Sequence, residues 1–426
     1  MSNNSPYIPG NTVRDTDMFY GRIDELAELT NAIGKGSSKA VVGLRRIGKS
    51  SLLYHLAHHA VLPDHIAITY IDLLDARYHT VSGLLGGILH GLNQVTNHRY
   101  SPPDSVDITG FTTIITRIKS DGYQPVICLD ELERLMIHPE TFNRDFFEAW
   151  RALGSMGTLA FVTASRVRIT DVVQHNGSTS PFTNIFTQLT LAGLQPNAAR
   201  ALLTEPFRRA PERNEPPAAH VDYALTLSGC HPYFLQLAGD TLWHVGSVNR
   251  EQFRQRISAA IRGPMQQLWD DLSPTEQAAA VRLATGKGAV PNWEDEIANL
   301  LHIGLAESGF NNQPRLFSDL LREWLQKGSF QQSASLRPIA KTPDTKKPTI
   351  LDPTQPPPHP FYASAFIFLV GLAVIALLSQ WLGWGVFSVL IFLAIYLAYT
   401  LVGEGKISGR EFLDALDKWI RNFLGQ

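Results

Sequence analysis

Gly43-Leu44-Arg45-Arg46-Ile47-Gly48-Lys49-Ser50 follows the apolar run Ala40-Val41-Val42 and leads into Ser51-Leu52-Leu53-Tyr54-His55-Leu56. The order predicts strand, glycine turn and helix. The GxxxxGK[ST] spacing arises by chance about once in fifty chains of this length, and its strand–helix context makes it rarer still. In such a turn the glycines let backbone N–H groups curl around phosphates, and the helix N-terminus adds partial positive charge. Lys49 is expected to reach the β- and γ-phosphates, and Ser50 to bind Mg²⁺ through its hydroxyl.

Working outward, Pro125-Val126-Ile127-Cys128-Leu129-Asp130-Glu131 is an apolar strand ending in two carboxylates. The strand ends of a parallel sheet form its ligand edge, which places Asp130 in the Mg²⁺ shell and Glu131 beside a water that could attack the γ-phosphate. The intervening strand 66–73 suggests that a strand lies between the two motif strands. A further strand, 159–164, runs into Thr163-Ala164-Ser165-Arg166, where the Arg166 guanidinium matches phosphate oxygens in a fork. With β-branched runs at 39–42 and 186–191 as well, alternation with helical segments predicts a parallel α/β sheet over residues 18–195.

At these residues the chain resembles the STAND-type, AAA+-like P-loop signalling ATPases, related to NB-ARC and archaeal-type ATPases. Met18 to Leu26 is similar to that group's entry box, which implies that Tyr20, Gly21 and Arg22 embrace adenine. The phosphate loop, Gly43 through Ser51, resembles the group's closely. Thr163 to Arg166 resembles its sensor-1 turn, which implies that Arg166 reads the γ-phosphate. Gly229-Cys230-His231-Pro232 resembles the lid motif, which implies a place for Pro232 on adenine and for His231 near the phosphates. The implied fold is an α/β P-loop NTPase of the additional-strand type, with an all-α lid at 196–262 and a winged-helix domain at 263–330. The implied ligands are ATP or ADP with Mg²⁺. The catalytic set is Glu131, Lys49 and Arg166; the metal set is Ser50 and Asp130. No histidine matching that group's winged-helix lock is found near Arg315–Ser318. For His231 and His302 a hydrogen-bonded structural role is read ahead of a switch.

Only 18% of the 426 residues are charged, against roughly 25% in an average soluble protein. The deficit is local: residues 361–403 contain no Asp, Glu, Lys or Arg. One membrane span needs about 20 apolar residues, so two helices are expected at 361–379 and 386–402, joined by a hairpin with Trp381 and Trp384 at the headgroups. Lysines and arginine flank the block on both sides, which predicts an inner (plasma) membrane protein with the ATPase domain and both termini in the cytoplasm. Residues 1–17 read as an N-terminal tail, the proline-rich stretch 331–360 as a linker, and 403–426 as an amphipathic helix.

A formal net charge of −2 gives no global basic field, and residues 263–330 are rich in acids, so nucleic acid is disfavoured as a partner. Two distant cysteines exclude a disulfide framework. The expected function is a membrane-anchored ATP-binding and hydrolysing signalling switch that assembles as a homo-oligomer in response to an unidentified trigger and acts through its transmembrane tail, which resembles bacterial defence effectors. The alternatives are a membrane-tethered remodelling ATPase and a non-hydrolysing nucleotide-binding adaptor.

Overall fold

A computed structural model of the chain describes residues 5–165, 181–210, 212–245, 249–288, 292–309 and 313–328. The expected linker, both membrane spans, the amphipathic tail and Arg166 lie outside the described residues. Among the described residues no helix is long and apolar enough to cross a membrane.

Five parallel strands form the central sheet: β1 (Ser38–Gly43), β2 (Ile66–Asp72), β3 (Gln124–Asp130), β4 (Ala160–Ala164) and β5 (Phe186–Leu191), in the order β2-β3-β4-β1-β5. β3 and β4 are buried along their whole length, and for this reason they read as unbroken apolar runs rather than as alternating ones. Their residues still divide by parity. Val126, Cys128 and Val162 face the helices α1 (Ile23–Gly34) and α2 (Lys49–His58) through Leu29, Ile33, Leu52 and Leu56. Ile127, Leu129 and Phe161 face α3 (Val81–Val95), α4 (Ile108–Ser120) and α5 (Arg144–Ser155) through Leu84, Ile88, Phe111 and Trp150. Each such aliphatic side chain contributes about 1.5–3 kcal/mol on full burial. The Cys128 thiol, buried in the first of these faces, has its pKa pushed up by that burial and by Asp130; it is a packing residue.

A strand does separate the two motif strands, but it is β4 and not the 66–73 strand. β2 pairs only with β3, at the sheet's edge, while β4 pairs with β3 on one side and β1 on the other. Sequence order cannot distinguish the two placements, because both leave every crossover long enough for a helix.

The all-α region expected as the lid, and called so below, comprises α6 (Pro196–Arg208), α7 (Ala218–Ser228), α8 (Pro232–Val245) and α9 (Arg250–Asp270). The expected boundary at 262/263 falls inside α9. Pro264 does not end this helix, because the buried stripe Phe253, Ile257, Ile261, Met265 and Leu268 continues through it; packing outweighs the lost N–H bond. After α9 come α10 (Pro274–Thr285), α11 (Trp293–His302), an antiparallel hairpin of β6 (Ala306–Ser308) and β7 (Pro314–Leu316), and α12 (Asp319–Gln326). These elements fall within the stretch 263–330.

One close backbone contact joins the lid to this last subdomain. Gly229 ends α7 at φ 60°, and a Cβ there would lie 1.6 Å from the Phe317 carbonyl oxygen. Beside it the Ser318 hydroxyl donates to the Leu227 carbonyl at 2.6 Å. Gly229→Ala should therefore lower the thermal midpoint by several degrees, an effect on the order of 1–3 kcal/mol. Differential scanning calorimetry checks this, with Gly263→Ala as the control, since nothing lies within 4 Å of a Cβ there.

Candidate functional site

Turning from β1 into α2, the chain passes through Gly43 at φ 150° and Gly48 at φ 101°. A Cβ at Gly43 would lie 2.7 Å from the Leu191 carbonyl, so the loop can approach β5 only as glycine. Helices α3, α4 and α5 are capped by the side chains of Thr80, Asp107 and Asn143. α2 has Gly48 at its N-cap and no side-chain cap, so the positive end of the helix is open to an anion. The Lys49 ammonium is buried and donates to the Gly43 and Leu44 carbonyls at 2.9 and 3.1 Å.

Arg22 holds the loop from outside. Its guanidinium donates to the Ile47 carbonyl at 3.0 Å and the Ala192 carbonyl at 2.7 Å and pairs with Glu25 at 2.7 Å. It ties the loop to the end of β5. Arg45 and Arg46 reach the other way, Arg45 to Asp271 at 3.4 Å and Arg46 over the Tyr233 ring at 4.4 Å.

Asp130 stands at the end of β3 behind Ser50. Its carboxylate accepts from the Ser50 hydroxyl, from the Tyr70 hydroxyl at 2.9 Å and from the Glu131 N–H at 3.1 Å. Burial is the main cause of its raised pKa; Glu131 and Asp72 add to it, while the hydroxyl bonds oppose it. A cation would relieve that strain. Mg²⁺ is held by one or two protein oxygens completed by phosphates and water, and Ser50 with Asp130 is such a pair. Among the described residues no three His, Cys, Asp or Glu side chains converge as a cage, so a metal here would lean on a ligand's phosphates.

These groups open into a cleft of about 410 Å³. Its polar lining includes Lys49, Ser50, Glu131 and Arg134; its apolar lining includes Met18, Phe19, Leu194, Leu202 and Pro232. Of the residues named from sequence, Tyr20, Arg22, Arg45 through Ser51, Glu131 and Pro232 line it. Gly43, Leu44 and Asp130 lie behind its wall, and Gly21 packs instead on Ala198.

His231 is a correction. It is 1% exposed and sits away from the cleft, between Phe234 and Phe317 at ring distances of 4.6 and 5.7 Å. Neither ring nitrogen has a hydrogen-bond partner; the Arg45 backbone comes within reach of the ring but outside good geometry. The expected hydrogen-bonded role is therefore not what the fold provides. Its start-of-helix position resembles a phosphate contact in sequence, but α8 turns the ring inward toward the apolar core.

Two features went unnoticed in the sequence. Tyr70, the clamp on Asp130, is found only through the β2–β3 register, which pairs Tyr70 with Cys128 and Asp72 with Asp130. The supposed N-terminal tail is a strap across the cleft. The Tyr7 hydroxyl donates to the Leu202 carbonyl at 3.1 Å and its ring packs on Gly239, the Ile8 N–H donates to Gln236 at 3.1 Å, and the Val13 N–H donates to the Ser51 hydroxyl at 3.0 Å. It links the lid to α2. The apolar pair Tyr7-Ile8 was its only signal.

The family model described as Novel STAND NTPase 2 matches residues 105–289, under half of the chain and downstream of the phosphate loop. Among solved structures, a Walker-type ATPase of Pyrococcus abyssi is similar at TM-score 0.54 and 14% identity, over 74% of this chain and 99% of that one. The Aeropyrum pernix ORC2 protein, solved as ADPNP–ADP complexes, follows at TM-score 0.44 and 12% identity, over 77% and 98%. Cdc6p of Pyrobaculum aerophilum gives TM-score 0.35 and 14% identity, over 77% and 98%. No curated protein matches the sequence. The chain has the fold of P-loop ATPases, and the first of these structures shares it over nearly its whole length.

Burial, with Arg22 and Lys49 nearby, holds the His231 pKa down at about 3. The unfolded chain, with an ordinary value near 6.5, binds this proton first on acidification. Stability should then fall as pH drops from about 6.5 toward 3, by up to about 1.4 kcal/mol per pH unit from this group. Thermal melts from pH 8 to pH 5 check this: His231→Phe should flatten the acid limb, and an unchanged slope would contradict the assignment.

Proposed function

We propose that the protein is a membrane-anchored switch that binds and hydrolyses ATP and assembles into a homo-oligomer when its nucleotide state changes. The observation that carries this reading is that the phosphate loop itself holds the lid: Arg45 pairs with Asp271 and Arg46 lies on Tyr233. Both contacts are small. A half-exposed ion pair contributes about 0–1 kcal/mol, and a cation on an exposed ring about 0.5–1 kcal/mol. Phosphate oxygens bind guanidinium groups more strongly than either, so a nucleotide that draws these arginines inward changes what the lid is tied to. A ligand shifts a two-state element only by its differential affinity, and here the competing contacts are weak enough to be outweighed.

For hydrolysis, Glu131 takes a proton from water, the water oxygen bonds to the γ-phosphorus, and the bond to the β–γ bridging oxygen breaks, leaving its electron pair on ADP. Ser50 and Asp130 would hold Mg²⁺, which would supply charge neutralisation at the phosphates. The apolar lining of the cleft suits a purine ring.

Attachment to the inner membrane, with the ATPase domain and both termini cytoplasmic, is supported by the uncharged stretch 361–402 and its cationic flanks. The acidic balance of residues 263–330 favours protein contacts over nucleic acid, and a part in bacterial defence would follow if assembly clusters the membrane tails.

Lys49→Ala should weaken ATP binding by more than about tenfold. Glu131→Gln should keep binding and slow single-turnover hydrolysis by roughly 10²- to 10⁴-fold; equal turnover in both forms removes Glu131 as the base. Light scattering of the purified full chain should show a discrete assembly with ATP and a smaller species with ADP. One unchanged mass in both nucleotides sinks the switch. Removing residues 361–426 should move the protein from the membrane fraction to the soluble one, and continued sedimentation with membranes disproves the anchor.

A further inference from the structure

We infer that Arg134 is a second cationic contact for the terminal phosphate, supplied in cis by the chain that holds the nucleotide; this rests on the cleft being the ATP site proposed above. After Asp130 the backbone turns through Glu131, held in the left-handed region at φ 57° and ψ 48°, into a 3₁₀ helix over Leu132–Ile137. With three residues per turn, positions i and i+3 share a face. Leu132 and Leu135, at 0% and 1% exposure, take the face that enters the core. Glu131 and Arg134 share another, and both line the cleft. The Arg134 N–H donates to the Glu131 carbonyl at 2.8 Å, which closes the turn and fixes this pairing.

Elimination points the same way. Five cations line the cleft among the described residues. Arg22 is held by two carbonyls and Glu25, and Arg45, Arg46 and Lys49 all belong to the phosphate loop on the β1 side. Arg134 has neither an ion pair nor a side-chain hydrogen bond with another described residue. It follows β3, on the side of β4 away from the phosphate loop, and Leu74, just past the end of edge strand β2, lines the cleft as well. Lys49 and Arg134 thus approach from opposite sides of β4, and a γ-phosphate beside Glu131 falls between them. A guanidinium there can take two phosphate oxygens at once, and it offsets the two carboxylates that would otherwise repel the incoming ligand. ADP lacks the group that Arg134 would hold.

The test is equilibrium binding of the full chain to a non-hydrolysable ATP analogue and to ADP, both with Mg²⁺. Arg134→Ala should weaken the analogue by about tenfold to a hundredfold and ADP by no more than about twofold, with Arg134→Lys recovering part of the loss. The thermal midpoint should stay at the wild-type value. Equal losses for both nucleotides, no loss for either, or a loss matched by a lowered midpoint would overturn the inference. Recovery of hydrolysis on mixing Arg134→Ala with Lys49→Ala would also overturn it, since the arginine would then act on a neighbouring copy. If the wild type binds neither nucleotide, or Lys49→Ala binds as the wild type does, the cleft reading falls and takes the inference with it.

Discussion

The pairing of β4 between β1 and β3 is the constraint on which the site depends. Adjacent strands lie about 4.8 Å apart, so one inserted strand sets the phosphate loop and the Asp130–Glu131 pair about 10 Å from each other at the same sheet edge. That gap admits a phosphate group and its metal. Across it the Ser50 hydroxyl reaches the Asp130 carboxylate. Every later feature inherits this spacing, including the 3₁₀ turn that brings Arg134 back over the edge.

The edge is rigid where the sheet supports it and held by small contacts where the lid meets it. Behind the cleft, Arg22 is 7% exposed and makes three polar contacts; removing it would leave buried carbonyls without donors. In front, Arg45 and Arg46 make contacts worth on the order of 1 kcal/mol each. The same loop is therefore fixed on its sheet side and only lightly tied on its lid side. A ligand that binds the loop works against the weaker set.

Much of this was legible in the sequence, because local rules and the tertiary result agree. All five strands were expected where apolar runs end in polar turns, and the loop, its lysine and the two carboxylates follow from spacing alone. What escaped notice depends on long-range pairing. Tyr70 looks like any strand residue until the β2–β3 register sets it beside Asp130. Tyr7 looks like part of a tail until Gly239 makes room for its ring. The boundary expected at 262/263 falls inside a helix, because the buried stripe from Phe253 to Leu268 carries that helix through Pro264. His231 misled for the opposite reason. Its neighbours fit a motif, while its ring belongs to the core.

That buried ring explains how three parts of the fold share one fate. His231 lies against Phe317 of the last subdomain and Phe234 of the lid, with the Arg45 backbone of the phosphate loop within reach. Close-packed interiors do not deform smoothly; a displaced side chain must find another complete packing or return. Gly229, pressed on the Phe317 carbonyl, removes the slack that a larger interface would offer. The His231 ring thus touches both the lid and the last subdomain, and neither of its nitrogens has a hydrogen bond. No hydrogen bond fixes the ring, so packing against Phe234 and Phe317 alone holds it between the helical region and the last subdomain.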